Sequence, residues 1–228
     1  MTIHVSETQD EQRMVAERYG QTPTEYLDSL GLLDERTIAA HCIYLSDSDM
    51  DIMLRRGVSV AHNPSSNMKI SSGVAPVWKM MQAGVRMTVG TDGPCSNNDL
   101  DMFEELRTAT FLQKSATGDP MALPAAEALK LVTANGARAM GRADGELGVL
   151  REGALADVVL IDLQKPHLQP VHDVLAHIVY CGKAADVETV VVDGEIVVEN
   201  RRVCNVDLPK LYRDVAAAAG RIVGECKR

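Results

Sequence analysis

Imidazoles and a carboxylate stand at the ends of four short apolar runs in this chain: His4, His41, the pair His62-Asn63, and Asp92. Nitrogen and oxygen donors of this kind are what a divalent cation of the zinc or iron type takes as ligands. Taken singly, each reads as readily as a hydrogen-bonded structural residue. Their chemistry depends on whether the fold brings them together, and so on the elements that carry them.

Those elements alternate. An apolar start over residues 2–5 leads to a helix over 12–19, and Thr22-Pro23-Thr24-Glu25 has the N-cap, the early proline and the acid of a capping box. A short strand over 37–40 precedes a helix over 46–56, capped by Ser46 and closed by Gly57. A strand over 58–61, a helix over 75–83, a strand over 86–90, an amphipathic helix over 100–114 and a helical pair from Pro124 to Met140 follow. Strand and helix alternating at this spacing predict four parallel βα units. In barrels of parallel strands the C-terminal strand ends form the active face, so the four polar positions should converge there. After residue 141 the pattern changes: a strand over 155–163 rich in β-branched residues, two strands over 187–198 joined by the hairpin signal Asp193-Gly194, and a terminal helix over 207–226.

Composition narrows the partners. Across 228 residues, 23 Lys+Arg stand against 32 Asp+Glu, a formal charge of −9, with 46% hydrophobic residues. Binding to nucleic acid or an anionic membrane draws on a basic face, and none is visible. No apolar run is long enough to span a bilayer, and the N-terminus lacks a signal pattern, which predicts a cytoplasmic protein. The five cysteines, Cys42, Cys95, Cys181, Cys204 and Cys226, are odd in number and form no CxxC pair, as expected of reduced thiols.

The strings around the polar positions are His4-Val5-Ser6-Glu7, Ala40-His41-Cys42, HNPSSNMKISSGVAP from His62 and GTDGPCSNNDLDMFEELRTA from Gly90. They resemble the amidohydrolase superfamily, and within it the deaminases of 5-methylthioadenosine and S-adenosylhomocysteine; GELGVLREGALADVVLID resembles that family's return into a small β-sandwich. The resemblance implies that His4 is a metal ligand on the fifth barrel strand and that Glu7 is the proton shuttle. It implies that His41 hydrogen-bonds the attacking water and the developing oxyanion, and that Asp92 contacts both metal and water. The implied cofactor is one divalent metal, zinc, with iron or manganese as alternatives. The implied reaction is hydrolytic loss of ammonia from C6 of adenine in a small-molecule nucleoside. His62, Asn63 and Asn67 lie in a loop on the expected active face as candidate substrate contacts, or as a turn held by its own side chains. Ser96, Asn97 and Asn98 either brace Asp92 or cap the following helix. His167, His172 and His177 sit on no clear helix and are expected to be structural.

The family's first-strand His-x-His is absent from the chain. The expected architecture is therefore the C-terminal half, four βα units, of a TIM-like (β/α)8 barrel over residues 1–142, part of a small β-sandwich over 143–206, and a C-terminal helix over 207–228. Such a half is expected to be inactive or weakly active alone. It is read as a piece of a longer protein, as a half completed by another chain or by a second copy of itself, or as a non-catalytic remnant serving as an interaction surface. Within the same branch, hydrolysis of another amino- or chloro-substituted heterocycle, such as guanine, 8-oxoguanine or an s-triazine, stays open.

Overall fold

The computed structural model describes residues 1–226, and it holds two compact units. The first comprises Met1–Leu155 with Leu163–Asp186; the second comprises Ala156–Asp162 with the chain from Val187 onward.

In the first unit, strands β1 (Thr2–Val5), β2 (Ile38–His41), β3 (Ser59–His62) and β4 (Arg86–Val89) form one sheet in the order β1-β2-β3-β4. Every pairing is parallel, with Val5 opposite His41, Ala40 opposite Ala61 and His62 opposite Val89. This register leaves the C-terminal strand ends level, which is how residues far apart in sequence reach one rim. Helices α1 (Gln9–Tyr19), α2 (Pro23–Ser29) and α3 (Asp47–Arg56) connect the first three strands, and α4 (Pro64–Lys69) and α5 (Val77–Gln82) lie between β3 and β4. Then come α6 (Pro94–Asn97), α7 (Met102–Thr117), α8 (Ala125–Leu131) and α9 (Ala134–Ala139). Val5, Ala39, Met53, Val58, Val60, Met80, Met87, Leu106 and Leu131 are buried in one core.

Local chemistry sets the helix ends. Thr22 and Glu25 form the expected capping box of α2, with Pro23 in the first turn. Ser46 and Asp49 form another on α3, which closes at Gly57 with φ 68°, a conformation glycine reaches without steric cost. Asp49 does more than cap. Fully buried, it accepts from the Ser46 backbone at 2.9 Å and hydroxyl at 2.8 Å, and from the Thr22 hydroxyl at 2.5 Å, so the caps of α2 and α3 share one carboxylate.

Three helices were not foreseen. Pro64 and Pro94 each sit in the first turn of a short helix, α4 and α6, where a fixed φ and no N–H suit the position. Both runs are too short to show a helical period. The third, α10 (Val174–Tyr180), is capped by Asp173 and packs on α7 and α8; its irregular histidine spacing masked it.

The second unit contains an antiparallel sheet of β5 (Val158–Ile161), β6 (Val187–Val192), β7 (Glu195–Glu199) and β8 (Arg202–Val203). Asp193 and Gly194, at φ 50° and 81°, make the two-residue turn between β6 and β7 with both φ positive, as a type I′ hairpin requires. Helix α11 (Leu208–Cys226) follows. No helix among the described residues is long and apolar enough to cross a membrane.

The shared cap carries a measurable consequence. Asp49→Ala is expected to lower unfolding free energy in urea by about 2–3 kcal/mol, from a lost cap and buried donors left unpaired. Asp51→Ala, on the exposed side of the same helix, should change it by less than about 0.5 kcal/mol; equal effects would refute the shared-cap account.

Candidate active site

At the level strand ends the backbone turns sharply. Ser6, His41, Cys42 and Asp92 all adopt positive φ, at 53°, 72°, 50° and 57°. Non-glycine residues hold this region at a cost of about 1–3 kcal/mol each, and such strain clusters at functional sites. Three of the four strand ends thus carry strained turns next to the residues singled out from the sequence.

His4, Glu7 and His41 converge. Each offers a ligand atom, all within 4.8 Å of one another; the imidazoles of His4 and His41 meet edge to face with centroids 4.9 Å apart. His41 is fully buried while His4 is exposed. The Nδ1 of His41 lies 2.8 Å from Asn67 Oδ1. Because an amide oxygen only accepts, Nδ1 carries the proton and Nε2 presents a lone pair. That Nε2 is buried with no hydrogen-bond partner among the described residues and lies 3.7 Å from Glu7 Oε2. An orphaned buried nitrogen beside a second imidazole and a carboxylate is a donor set that fits a divalent cation of the zinc type.

Glu7 is held from two sides. The Ser72 hydroxyl donates to its Oε1 at 3.3 Å, and the Tyr44 hydroxyl fixes the Ser72 carbonyl at 2.6 Å. Glu11 accepts from the backbone N–H groups of Ser6 at 2.8 Å and Glu7 at 2.7 Å, tying down the strained turn.

Asp92 stands outside the close cluster but near enough to feel it. Its Oδ2 accepts from Ser66 Oγ at 2.7 Å and Ser96 Oγ at 2.5 Å. Burial pushes this carboxyl up, but the bonds from Ser96, Ser66 and the Gly93 backbone, with the neighbouring His41, outweigh it and hold Asp92 below its ordinary value. Ser96 therefore bonds the carboxylate, and the cap of α7 is Asp101, which accepts from Phe103 and Glu104. The capping role expected of Ser96, Asn97 and Asn98 falls to a residue three positions beyond them.

The three candidates expected in a loop are all buried, and the structure places His62 at the end of β3, Asn63 at the cap of α4 and Asn67 within α4. Asn67 backs His41. Asn63, with its amide oriented to satisfy its neighbours, donates to the carbonyls of Gly90 at 3.2 Å and His62 at 3.3 Å, joining the ends of β3 and β4. A Cβ on Gly90 would come within 2.9 Å of that amide, so a side chain there would have to displace Asn63 from this bridge. His62 has neither ring nitrogen paired among the described residues; burial, reinforced by His41, lowers its pKa to about 3, and it stays neutral.

Sequence reading passed over Glu11, Ser72, Tyr44 and Glu105. Thr8-x-x-Glu11 was available as a capping-box signal, and Glu105 shares a helical face with buried Leu106, Ala109 and Gln113, an unusual place for a carboxylate. Of the remaining histidines, His167 pairs with buried Asp186 at 3.0 Å, and His177, on α10, has its Nδ1 2.8 Å from the carbonyl of the cap residue Asp173. Cys42, Cys95, Cys181 and Cys204 are free thiols, with burial pushing Cys42 far up; the Cys226 side chain lies outside the described residues.

Compared with known proteins, residues 1–197 match the model of the amidohydrolase family. The chain is 47% identical over 221 residues to a 5-methylthioadenosine/S-adenosylhomocysteine deaminase of Pelotomaculum thermopropionicum, covering 97% of this chain and 51% of the relative. It is likewise 47% identical to a 5'-deoxyadenosine deaminase of Methanosarcina acetivorans, covering 97% of this chain and 50% of the relative. Among solved structures it resembles a zinc-bound adenosine deaminase from Xanthomonas campestris at 38% identity and TM-score 0.94, over 98% of this chain and 51% of that one. The chain spans about half the length of the curated relatives it matches.

The buried His62 gives a pH signature. The unfolded chain takes up a proton there near 6.5, whereas the folded chain resists until about 3. The His62 contribution is therefore present above the unfolded value and lost as the pH falls through that window, by at most about 1.4 kcal/mol per pH unit. In urea melts of the metal-free protein, His62→Gln should flatten the decline between about pH 6 and 4; an unchanged slope would show that His62 is not buried neutral.

Proposed function

The chain belongs to the amidohydrolase family, and from that premise we propose that it is the C-terminal half of a metal-dependent hydrolytic deaminase acting on adenosines whose 5'-hydroxyl is replaced or absent, 5-methylthioadenosine and S-adenosylhomocysteine among them. The observation that carries the reading is the convergence of His4, Glu7 and His41 within 4.8 Å at the end of a parallel sheet where Asp92 is also held. The deaminase names of the relatives support the substrate class.

His4, from the close cluster, and Asp92, which stands outside that cluster and enters as the family resemblance implies, would hold one divalent ion, zinc by the analogy of the zinc-bound neighbour, with iron or manganese compatible with the same donors. When bound, such an ion acts as a Lewis acid and makes a coordinated water more acidic. The chain's own residues do the proton work. Asp92, ionised at neutral pH and locked through Oδ2 by Ser66 and Ser96, accepts a proton from the attacking water. His41, with Nδ1–H tied to Asn67, accepts a hydrogen bond from the water's second proton at Nε2 and so aims the oxygen at C6. Glu7, entering as the carboxylic acid, gives its proton to the adjacent ring nitrogen and then relays to the departing amine the proton that Asp92 took from the water, and the proton left on the C6 hydroxyl restores Glu7. The C6–O bond forms, the C6–N bond breaks, and ammonia leaves with both of the water's protons accounted for. Asn63 and Asn67 serve from behind, by holding strand ends and His41.

The rest of the reading is coarser. We place the protein in the cytoplasm, with no nucleic-acid or membrane partner, on its acidic balance and free thiols. The remaining barrel strands and ligands would come from the other half of the protein, or from a second chain.

Turnover is followed as the ultraviolet change on loss of the adenine amine, with methylthioadenosine and zinc, in this chain and in a version extended upstream to include a His-x-His strand. The extended protein should turn over, and Glu7→Gln should lower its kcat by about 100- to 10,000-fold with zinc content unchanged. Absence of turnover in the extended protein, or full activity of Glu7→Gln, would contradict the assignment.

A further inference from the structure

Glu105 lies on α7, thirteen residues past Asp92, and is 1% exposed. Its Oε2 accepts from the Ser65 backbone N–H at 3.2 Å and its Oε1 from Asn97 Nδ2 at 2.7 Å. Asn97 Nδ2 also reaches the Thr91 carbonyl at 2.7 Å. One buried carboxylate thus joins the loops that follow β3 and β4 through the short helices they carry: α4, with Ser65 and Ser66, and α6, with Ser96 and Asn97. Those two serines close on the same oxygen of Asp92, and helix α4 packs against both α6 and α7.

No cation is among the hydrogen-bond or ion-pair partners of Glu105 in the described residues. A carboxylate buried on neutral donors alone is costly, and burial, the largest influence here, raises its pKa. An apolar side chain would pack α7 at lower cost, but it could not clamp the two loops.

We propose that Glu105 is a positioning residue for Asp92: by bonding the Ser65 N–H and the Asn97 amide it sets the two loops so that the hydroxyls of Ser66 and Ser96 meet on Asp92. The inference rests on the reading of Asp92 as a metal-contacting group. It adds a third tier behind that ligand, since outer partners orient the inner ones. Glutamine in its place keeps the volume but accepts at only one of the two positions, and its NH2 faces a donor at the other.

Zinc affinity is measured by competition with a chromophoric chelator for the protein extended upstream to include the His-x-His strand and for its Glu105→Gln, Asp92→Asn and double variants, and the metal-free Glu105→Gln protein is crystallised. Glu105→Gln should weaken zinc binding by about 10- to 100-fold in the native background and have little further effect with Asp92→Asn, because the two act on one path. Its crystal structure should show Ser66 or Ser96 withdrawn from Asp92. An equal loss in both backgrounds, or a crystal structure with both serine bonds intact, would overturn the proposal. Failure of the extended protein to bind zinc would count against the metal role of His4 and Asp92, and the crystal structure would then decide on Glu105 alone.

Discussion

Parallel pairing in level register is the constraint on which this molecule depends. Strands of four residues leave little room for error. A one-residue slip of β2 would carry His41 away from His4 and turn it to the opposite face of the sheet. With Val5 opposite His41 and His62 opposite Val89, the strand ends stay on one rim. The buried aliphatic residues and the short capped helices hold the strands to that register.

At the rim, regular pairing gives way to strained turns, and polar side chains hold them. Glu11 accepts from the amides after β1, Asn63 bridges the ends of β3 and β4, and Ser66 and Ser96 grip Asp92. A network of this size inside a protein is expensive if incomplete. Among the described residues, its unpaired members are His41 Nε2, both nitrogens of His62, Asn67 Nδ2 and Ser6 Oγ, all close to the strand ends that carry the candidate site.

Much of this was legible in the sequence, for identifiable reasons. Alternation of apolar runs with capped helices revealed the parallel units, and Asp193-Gly194 revealed the hairpin, because turn and cap chemistry is local. His4, Glu7 and His41 were legible because their strings resemble a family. The helices α4, α6 and α10 were not, since short runs lack a period. Nor were the contacts that determine how site residues behave: Asn67 behind His41, 26 positions away, Ser72 on Glu7, 65 positions away, and Glu105 on Ser65, 40 positions away. Such partners are chosen by tertiary packing and leave no mark on neighbouring residues. The clearest local hint was a carboxylate at position 105 on a buried helical face.

The central claim is that His4 and Asp92, brought to one rim by the parallel register, hold the same ion. Anomalous diffraction at the zinc edge from crystals of the protein extended upstream to include the His-x-His strand, grown with zinc, tests it directly. The account predicts a single strong peak bonded to a His4 nitrogen and an Asp92 oxygen at about 2.0–2.2 Å, with His41 Nε2 facing it. A peak held without Asp92, or none at this rim, would contradict it.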